Sequence, residues 1–479
     1  MNFRKYLLMG TAALTLSFFA ACSDDDEPVR VPDDDQEQEG EDDDKDDETT
    51  TDWSDPSLWA DTDNLTWPAN ATVELNTHYT VPEGKSLTIE PGVQIIANPA
   101  GVGINGTPIE FTVDGNLYCE GTAEAPIRFT IPEAERPAAE EALAGYWGGI
   151  MATTTCAEMV IDHTIIEYTG GQVIEDSPAA ITEAYTAGDD AYPQITTNNI
   201  NGKYVITNSV LRYGWSDGIY LMGGEAIIAN NIFAGNGYDG AEAVNVKAGC
   251  KVDVAGNLRY SPNTNGLKLS SSGQGGDRGQ ALIQAYNNTI INAGWRRDGE
   301  KGGCIYVEKN VLANVFNNLL VNCKFRAMTP SFDIPNNPEE GYDENSFIDY
   351  NFYASGSQKS NIIFDDPEEG ESGVGYAWEG YNYAHEDYNV GVVDVHSVIA
   401  TEDNLRNPMF VNYDINGVAL TDYVYDEAWD FHVQAGSPVL TGAYSGNIAP
   451  YFGATGLTVN GETYTSPAVE SHFGAYGMN

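Results

Sequence analysis

The chain has 479 residues and carries 72 Asp and Glu against 22 Lys and Arg, which gives a formal net charge of -50 at pH 7. An acidic surface of this kind disfavours nucleic acid and anionic lipid as partners and is compatible with cations and neutral glycans. The length usually indicates several domains, but a solenoid grows along one axis and can take it up as one unit.

The chain begins with a predicted lipoprotein signal peptide, residues 1–21. Arg4 and Lys5 precede an apolar run, and small residues follow it up to Cys22. The apolar run is too short to span a bilayer comfortably, which is typical of a secretory signal. Its end resembles a bacterial lipobox, which implies that Cys22 becomes the lipid-bearing first residue of the mature protein. The alternative is an ordinary cleaved signal followed by a chance cysteine.

An acidic segment follows, so that residues 22–52 are predicted to be a lipidated cysteine and a disordered tether. Residues 23–52 hold 17 Asp or Glu against Arg30 and Lys45. Such a segment buries too little apolar surface to fold, and its like charges repel one another. An acidic run directly after the cysteine resembles lipoproteins exported to the outer face of a Gram-negative outer membrane. The resemblance implies a lipid anchor in the outer membrane and exposure at the cell surface.

The body, residues 53–479, opens with strand signals. Residues 80–96 alternate apolar positions between Pro and Gly, which predicts two short strands, and Ala and Glu in residues 134–144 predict a short helix. Together with residues 115–130 and the Trp-Gly-Gly-Ile sequence ending at Ile150, these motifs resemble the opening coils of right-handed parallel β-helix proteins of the pectin-lyase-like superfamily. Cys119 stands where that pattern usually has Ala, which keeps a small inward residue.

One phrase then recurs, a polar residue, a variable residue and two apolar residues, beginning at His163, Asn208, Asn230, Asn288 and Asn317. A second phrase, Asp or Asn then Gly then an apolar residue, begins at Asp217, Asp239 and Asn265. Asn and Asp tolerate left-handed backbone, so each phrase marks a corner of one solenoid coil.

We therefore predict an all-β fold, a single right-handed parallel β-helix with inserted loops. Its structural turn column contains Asn208, Asn230, Asn288, Asn317, Asp217, Asp239 and Asn265. We expect the asparagines to form side-chain ladders to turn amides, with Asn230 and Asn288 buried or half-buried.

The later part of the body is predicted to carry an aromatic-rich insertion at residues 328–390. Residues 407–411 and 430–440 resemble closing coils, and residues 446–479 are predicted to form a C-terminal cap. The aromatic side chains of the insertion either pack on the solenoid or stack on sugar rings. The candidate glycan-stacking residues are Tyr376, Trp378, Tyr381 and Tyr383.

Three catalytic hypotheses compete with binding. The resemblance to pectate lyases implies acidic residues that bind Ca²⁺ beside a basic residue. The acidic candidates are Asp189, Asp190, Asp365, Asp366, Glu368 and Glu369, and the basic ones are Arg212, Arg259, Arg296, Arg297 and Lys301. None of these residues lies in a recognisable lyase motif.

The other two motifs are weaker. Residues 261–267 resemble the Ser-Pro-Asn-Thr-Asp-Gly motif of polygalacturonases, but Asn265 replaces the catalytic Asp and cannot act as an acid or a base. Residues 214–218 match the Gly-x-Ser-x-Gly pattern of a nucleophile elbow, which has meaning only where a helix follows. We expect this match to be accidental.

Cysteine and histidine add little. Cys119, Cys156, Cys250, Cys304 and Cys323 show no metal-binding spacing and are predicted to be small buried residues. The sequence thus favours a surface lipoprotein whose β-helix binds a polysaccharide or another surface molecule without catalysis, with Ca²⁺ as the one candidate cofactor. The alternatives are a purely structural or adhesive role toward protein, a Ca²⁺-dependent lyase acting on uronate polymers, or another carbohydrate-active enzyme on this fold.

Overall fold

The computed structural model describes residues 51–143, 145–238, 240–297, 300, 302–327, 341–363, 372–382 and 392–479. Cys22, Asp239, Lys301 and Tyr383 lie outside the described residues, as do residues 365–369. Within the described part, no helix is long and apolar enough to cross a membrane.

Most strands belong to three parallel sheets, and we number all strands in chain order. Sheet A contains Asn64–Trp67 (β1), Ser86–Ile89 (β4), Asn116–Glu120 (β7), Glu158–Asp162 (β10), Lys203–Thr207 (β13), Gly224–Ala229 (β16), Cys250–Ala255 (β19), Leu282–Tyr286 (β22), Leu312–Phe316 (β25) and Phe347–Ile348 (β27). Sheet B contains Thr72–Leu75 (β2), Gln94–Ala97 (β5), Ile127–Thr130 (β8), Thr164–Glu167 (β11), Val210–Arg212 (β14), Ile232–Ala234 (β17), Leu258–Tyr260 (β20), Thr289–Ile291 (β23), Leu319–Val321 (β26), Phe352–Ala354 (β28) and Val398–Ile399 (β31). Sheet C contains Tyr79–Val81 (β3), Phe111–Val113 (β6), Ile150–Ala152 (β9), Ile195–Thr197 (β12), Ile219–Leu221 (β15), Val244–Val246 (β18), Leu267–Ser270 (β21) and Ile305–Glu308 (β24).

The remaining elements are short. Antiparallel pairs are formed by Lys359–Ile363 (β29) with Ser372–Tyr376 (β30), Phe410–Asn412 (β32) with Asp430–Val433 (β33), and Leu457–Val459 (β34) with Glu462–Tyr464 (β35). The α-helices are Arg136–Ala142 (α1), Pro178–Ile181 (α2) and Ala377–Asn382 (α3), and 3₁₀ turns occur at Pro56–Trp59, Glu133–Glu135 and Pro438–Leu440. Helix α1 confirms the helix predicted within residues 134–144.

The fold is a right-handed parallel β-helix, as predicted, because successive coils contribute one strand to each of the three sheets in turn. Alternate side chains of each strand point inward and stack on the equivalent residue of the next coil. Cys119 illustrates this packing, since it is buried and lies in register between Ile89 and Ile161. All five described cysteines are buried and unpaired, in agreement with the prediction.

An asparagine ladder runs along the corner between sheets A and B. Its members are Ser209, Asn231, Asn257, Asn288, Asn318 and Asn351. Ser209 accepts from the backbone N–H of Thr164, and each later member accepts from the backbone N–H of the member before it. Asn288 is therefore a ladder residue as predicted, buried, with Nδ2 donating to the carbonyls of Val254 and Tyr286.

Asn208, Asn230 and Asn317 are turn residues as predicted, but their side chains do not form the ladder, which belongs to the next residue of each coil. These three residues hold the left-handed conformation just before the ladder residue, with φ of 51°, 58° and 55°. Their position points away from the interior, so Asn208 and Asn230 are exposed. Asn317 is buried at the same position, because the C-terminal segment covers it and its Nδ2 donates to the carbonyls of Tyr444 and Glu470. Gly256, with φ of 66°, fills the same left-handed position in the next coil.

The second turn column lies at the start of the strands of sheet C. Ile219, Val244 and Leu267 pair in register, so Asp217, Glu242 and Asn265 are equivalent, each two residues earlier. Asp217 and Asn265 thus belong to one column as predicted. The position assigned to Asp239 belongs instead to Glu242, because this coil is longer than the repeat in the sequence indicates.

The C-terminal region also differs from its prediction. Residues 446–479 run back along the outside of the solenoid instead of capping its end, since Lys203 donates to the carbonyl of Thr458 and Glu158 accepts from the N–H of Asn460. The predicted closing coils are the antiparallel pair β32 and β33, which packs on the outer face of sheet B. Part of the predicted insertion is a regular coil, because β27 and β28 extend sheets A and B.

Candidate functional site

The outer faces of the three sheets are covered to different degrees. On sheet A, Phe452, Leu457 and Val459 of the C-terminal segment pack against Tyr118 and Val205. On sheet B, aromatic residues of the segment 410–431 and Phe473 pack against residues such as Tyr260 and Phe352. Sheet C instead carries an outward row of polar side chains.

This outward row on sheet C contains Thr196, Tyr220, Asn245, Lys268 and Tyr306, which lie in register from one coil to the next. Lys247 Nζ lies over the Tyr220 ring at 5.3 Å, and Lys268 Nζ lies over the Tyr306 ring at 5.6 Å. Polar and aromatic side chains at matched height on one face form an extended surface that can follow a linear ligand.

A loop, residues 172–192, overhangs the earlier coils of this sheet. Val173, Ala179 and Tyr192 bury Met151 beneath it. The buried carboxylate of Glu110 accepts from the N–H of Ala179 at 2.9 Å and from the Tyr192 hydroxyl at 2.7 Å. Burial raises the pKa of Glu110 above its ordinary value. The loop is thus fixed to the sheet by both apolar packing and hydrogen bonds.

A cleft of about 830 Å³ opens between this loop and the next coils of sheet C. Its lining residues include Tyr185, Asp189, Asp190, Trp215, Ser216, Asp217, Tyr220 and Glu242. The Tyr185 ring lies 6.2 Å from that of Tyr220, and the Tyr185 hydroxyl is 2.8 Å from Thr196 Oγ1. Trp215 stacks on Tyr238 with ring centroids 4.2 Å apart.

Two carboxylates, Asp217 and Glu242, lie at the base of this cleft and share one donor. Asn245 Nδ2 is 3.1 Å from Asp217 Oδ2 and 3.2 Å from Glu242 Oε2. Asp217 Oδ1 also accepts from the backbone N–H of Glu242 at 2.6 Å, and Glu242 Oε1 accepts from Asn265 Nδ2 at 3.2 Å. Burial, and then the neighbouring Glu242 charge, raise the pKa of Asp217 well above its ordinary value.

The rise in the pKa of Asp217 has a simple physical origin. Asp217 is 6 % exposed, so its charged form loses most of its hydration, and a second carboxylate nearby adds repulsion. A proton held by Asp217 relieves both effects. A buried carboxyl group with a raised pKa that faces a cleft is typical of functional sites, which makes the cleft the strongest candidate site in the described part of the chain.

The predicted glycan-stacking residues lie elsewhere. Tyr376 and Trp378 are half-buried, with nearly parallel rings 6.1 Å apart, and Lys359 Nζ lies 4.7 Å from the Tyr376 ring. Tyr381 is fully buried, packs against Tyr353 and bonds the N–H of Cys323 through its hydroxyl. The prediction for Tyr381 is therefore wrong, because a core ring has no face for a sugar. Tyr383 lies outside the described residues.

The candidate lyase bases are engaged in other contacts. Arg212 forms ion pairs with Glu167 and Glu427. Arg259 is buried, donates to Asn288 Oδ1 and lies over the Phe233 ring, and burial lowers its pKa to about 9. Arg296 donates to the carbonyls of Asn236, Gly237 and Ser261, and burial lowers its pKa to about 10. Neither Arg259 nor Arg296 lines the cleft.

The remaining candidates among the described residues line two different pockets. Arg297 lines a smaller pocket of about 440 Å³, together with Leu143 and Tyr423. Asp189 and Asp190 line the cleft. Within the described residues, no group of three or more His, Cys, Asp or Glu is placed to hold a metal ion.

Two features of the sequence already indicated residues that line the cleft. The Gly214–Gly218 motif is followed by strand β15, so it is not a nucleophile elbow, yet its Trp215, Ser216 and Asp217 all line the cleft. Asp189 and Asp190 were the second signal. Glu242 could not be found in this way, because the repeat pointed to Asp239.

One comparison with known proteins gives a match. A family model described as a pectate-lyase like beta helix domain matches residues 60–177. The β-helix is similar to that family in its opening coils. No curated protein and no solved structure matches the chain. The matched region ends before Asp217 and Glu242, so it includes a few lining residues of the cleft, such as Gly170 and Gln172, but not the two carboxylates.

Proposed function

We propose that the protein binds a glycan in the cleft on sheet C. The observation that carries this proposal is the combination of aromatic rings (Trp215, Tyr185, Tyr220) with paired carboxylates in one cleft. Aromatic rings stack on the apolar faces of sugars, and carboxylates accept hydrogen bonds from sugar hydroxyls. The two carboxylates, Trp215 and Tyr220 are held on the coils of the solenoid, and Tyr185 on the loop that packs on sheet C, which lowers the entropy cost of binding.

We propose further that the protein is a lipoprotein held in the outer membrane by Cys22 and displayed at the cell surface on its acidic tether. Such a tether would hold the cleft away from the membrane surface. The ligand is then a polysaccharide or a surface protein outside the cell. Changing Cys22 to Ala should move the protein from the detergent phase to the aqueous phase, and retention in the detergent phase would contradict the anchor.

The binding test compares two aromatic residues. Trp215→Ala removes a ring from the cleft, and Trp378→Ala removes a half-buried ring from the predicted stacking site outside it. In affinity electrophoresis through a panel of polysaccharides, we expect retarded migration for the parent chain and for Trp378→Ala, and loss of retardation for Trp215→Ala. The opposite pattern would assign binding to the hairpin of Tyr376 and Trp378.

A second candidate function is glycan hydrolysis, favoured by the Asp217 and Glu242 pair. A carboxyl group that keeps its proton can act as a general acid, and a neighbouring ionised carboxylate can act as a base or a nucleophile. Hydrolysis would appear as new reducing ends that vanish in Asp217→Asn. Absorbance from unsaturated uronic products in the presence of Ca²⁺ would instead support the lyase. Retardation without either product supports binding alone.

A further inference from the structure

The smaller pocket, of about 440 Å³, lies beside the cleft. Tyr238 lines this pocket and Trp215 lines the cleft, and their rings stack with centroids 4.2 Å apart, so the two cavities adjoin across this pair. The other residues that line the pocket are Leu143, Asn263, Arg296, Arg297, Thr421 and Tyr423. The proposed glycan binding in the cleft uses none of them.

The charge of this pocket is opposite to that of the cleft. Four carboxylates line the cleft without any Lys or Arg, whereas two guanidinium groups line the pocket without any Asp or Glu among its described lining residues. Glu140, Glu141 and Asp422 add to the rise in the pKa of Tyr423, which is caused mainly by burial, but none of them lines the pocket. An anion near this face is therefore attracted to the pocket and repelled by the cleft.

The two arginines lack a carboxylate partner. The Arg296 guanidinium donates to the carbonyls of Asn236 and Gly237 and to both oxygens of Ser261, which are all neutral acceptors. The Arg297 side chain forms no hydrogen bond or ion pair with the part of the chain that the structure describes. Partly buried charges of one sign are unfavourable without a counter-charge, so an anion that enters the pocket would be stabilised.

Asn263 is an independent indication of a ligand in this pocket. Its Nδ2 donates to the carbonyls of Tyr238 and Gly240, both at 2.8 Å, and these bonds fix the orientation of the amide. Its Oδ1 has no hydrogen-bond partner within the described chain, although Asn263 is 0 % exposed. A buried acceptor without a donor is unfavourable, so Asn263 favours a ligand that carries O–H groups beside its negative charge.

The donors of the pocket come from three separate segments of the chain. Beside the guanidinium of Arg297 lie the hydroxyl-bearing side chains of Tyr238 and Thr421, and neither hydroxyl has a hydrogen-bond partner among the residues described. The three terminal oxygens of a phosphate or sulfate ester can meet three such donors at once. A carboxylate has only two oxygens, which suit a single guanidinium fork. The arrangement therefore favours a tetrahedral oxyanion over a carboxylate.

We propose that this pocket binds a tetrahedral oxyanion, the phosphate or sulfate ester of a hydroxylated ligand such as a sugar. Arg297 would bond to the oxyanion, and Arg296 would supply a second positive charge. Asn263 would accept from a hydroxyl group of the ligand, and the Tyr238 ring would pack on its carbon skeleton. This site is separate from the cleft, and the proposal does not depend on glycan binding there.

The test is titration calorimetry of the full chain, held in an uncharged detergent, at constant ionic strength. The probes are glucose 6-phosphate, glucose 6-sulfate, glucuronate and glucose. We expect the phosphate or the sulfate to bind at least about tenfold more tightly than glucuronate, and glucose to show no binding. The tighter of the two esters identifies the oxyanion that the pocket prefers.

Two arginine variants provide the matched comparison. Arg297→Gln should weaken the tighter ester about tenfold at an unchanged melting temperature, because the Arg297 side chain contributes no described hydrogen bond to the fold. Arg278→Gln changes another half-buried arginine, which donates to Asn198 and lines neither cavity, and should leave affinity within about twofold.

Three results would overturn the proposal. They are equal or tighter binding of glucuronate, no binding of either ester, and an equal loss of affinity in Arg297→Gln and Arg278→Gln, which would show general attraction to positive charge. Glycan retention through Trp215 is measured separately, so a failure here leaves the glycan proposal intact.

Discussion

The outer faces of sheets A and C are built on the same coils yet serve different purposes. On sheet A, Tyr118, Val160, Val205 and Ile227 point outward and are buried by the C-terminal segment. In the same coils and in the coils that follow, sheet C carries the outward side chains of Tyr220, Asn245 and Lys268 beside an open cleft. An apolar outer face has to be covered, whereas a polar one can stay in contact with solvent and ligands.

The buried carboxylates on the outer faces of sheets A and C show the same difference. Asp253 on sheet A accepts from the N–H groups of Tyr451 and Phe452 and from the Ser466 hydroxyl. These hydrogen bonds hold the C-terminal segment on sheet A. Asp217 and Glu242 on sheet C instead line the open cleft. The comparison predicts that changes on sheet A reduce stability, and that changes on sheet C reduce binding.

The largest expected effect comes from the cover of sheet A. Phe452→Ala removes a buried ring from the contact with Tyr118 and Val205 and should lower the free energy of unfolding by about 3 to 5 kcal/mol. Glycan affinity of the folded fraction should stay unchanged. Denaturant unfolding with parallel binding measurements checks both, and a selective loss of affinity at full stability would break the comparison.

The next largest loss of stability should come from disrupting the asparagine ladder at the corner between sheets A and B. Asn288→Leu leaves the backbone N–H of Asn257 and the Arg259 guanidinium without their described acceptor, at about 1 to 3 kcal/mol for each stranded group. Asn230→Leu is the control, since Asn230 is exposed and only loses a residue suited to positive φ, at about 1 to 2 kcal/mol. Thermal unfolding should rank Asn288→Leu well below Asn230→Leu, and the reverse order would contradict the ladder.

The smallest expected effect concerns the loop over sheet C. Burial raises the pKa of Glu110, so the folded state holds more protons than the unfolded state above the ordinary pKa of a glutamate. Stability should therefore fall as the pH rises through that window up to the raised pKa. Glu110→Gln should flatten this part of the stability profile, from the ordinary glutamate pKa of about 4.3 upward, measured by thermal unfolding. An unchanged slope would show that Glu110 is not the titrating group.

The sequence predicted the fold well because turn chemistry and strand alternation are local. The ladder was misplaced by one residue because Asn occupies two adjacent positions in several coils, as in Asn230-Asn231 and Asn317-Asn318. One of the two needs left-handed backbone and the other an inward amide, and only the packed coils show which is which.

The site was harder to predict because it depends on contacts between distant residues. Glu110 fixes a loop some 70 positions later, at Ala179. Glu242 replaces Asp239 in the column because the intervening coil is longer than its neighbours. The C-terminal segment carries no repeat, so nothing in its sequence indicates that it covers sheet A.

The central claim is that the open face of sheet C, and not another surface, binds the glycan. Hydrogen–deuterium exchange of the chain with and without a retained polysaccharide tests it directly. We expect new protection in peptides covering residues 185–191 and 215–222 and unchanged exchange in residues 441–479. Protection confined to residues 372–382, where Tyr376 and Trp378 lie, or protection of the C-terminal segment alone, would contradict the account.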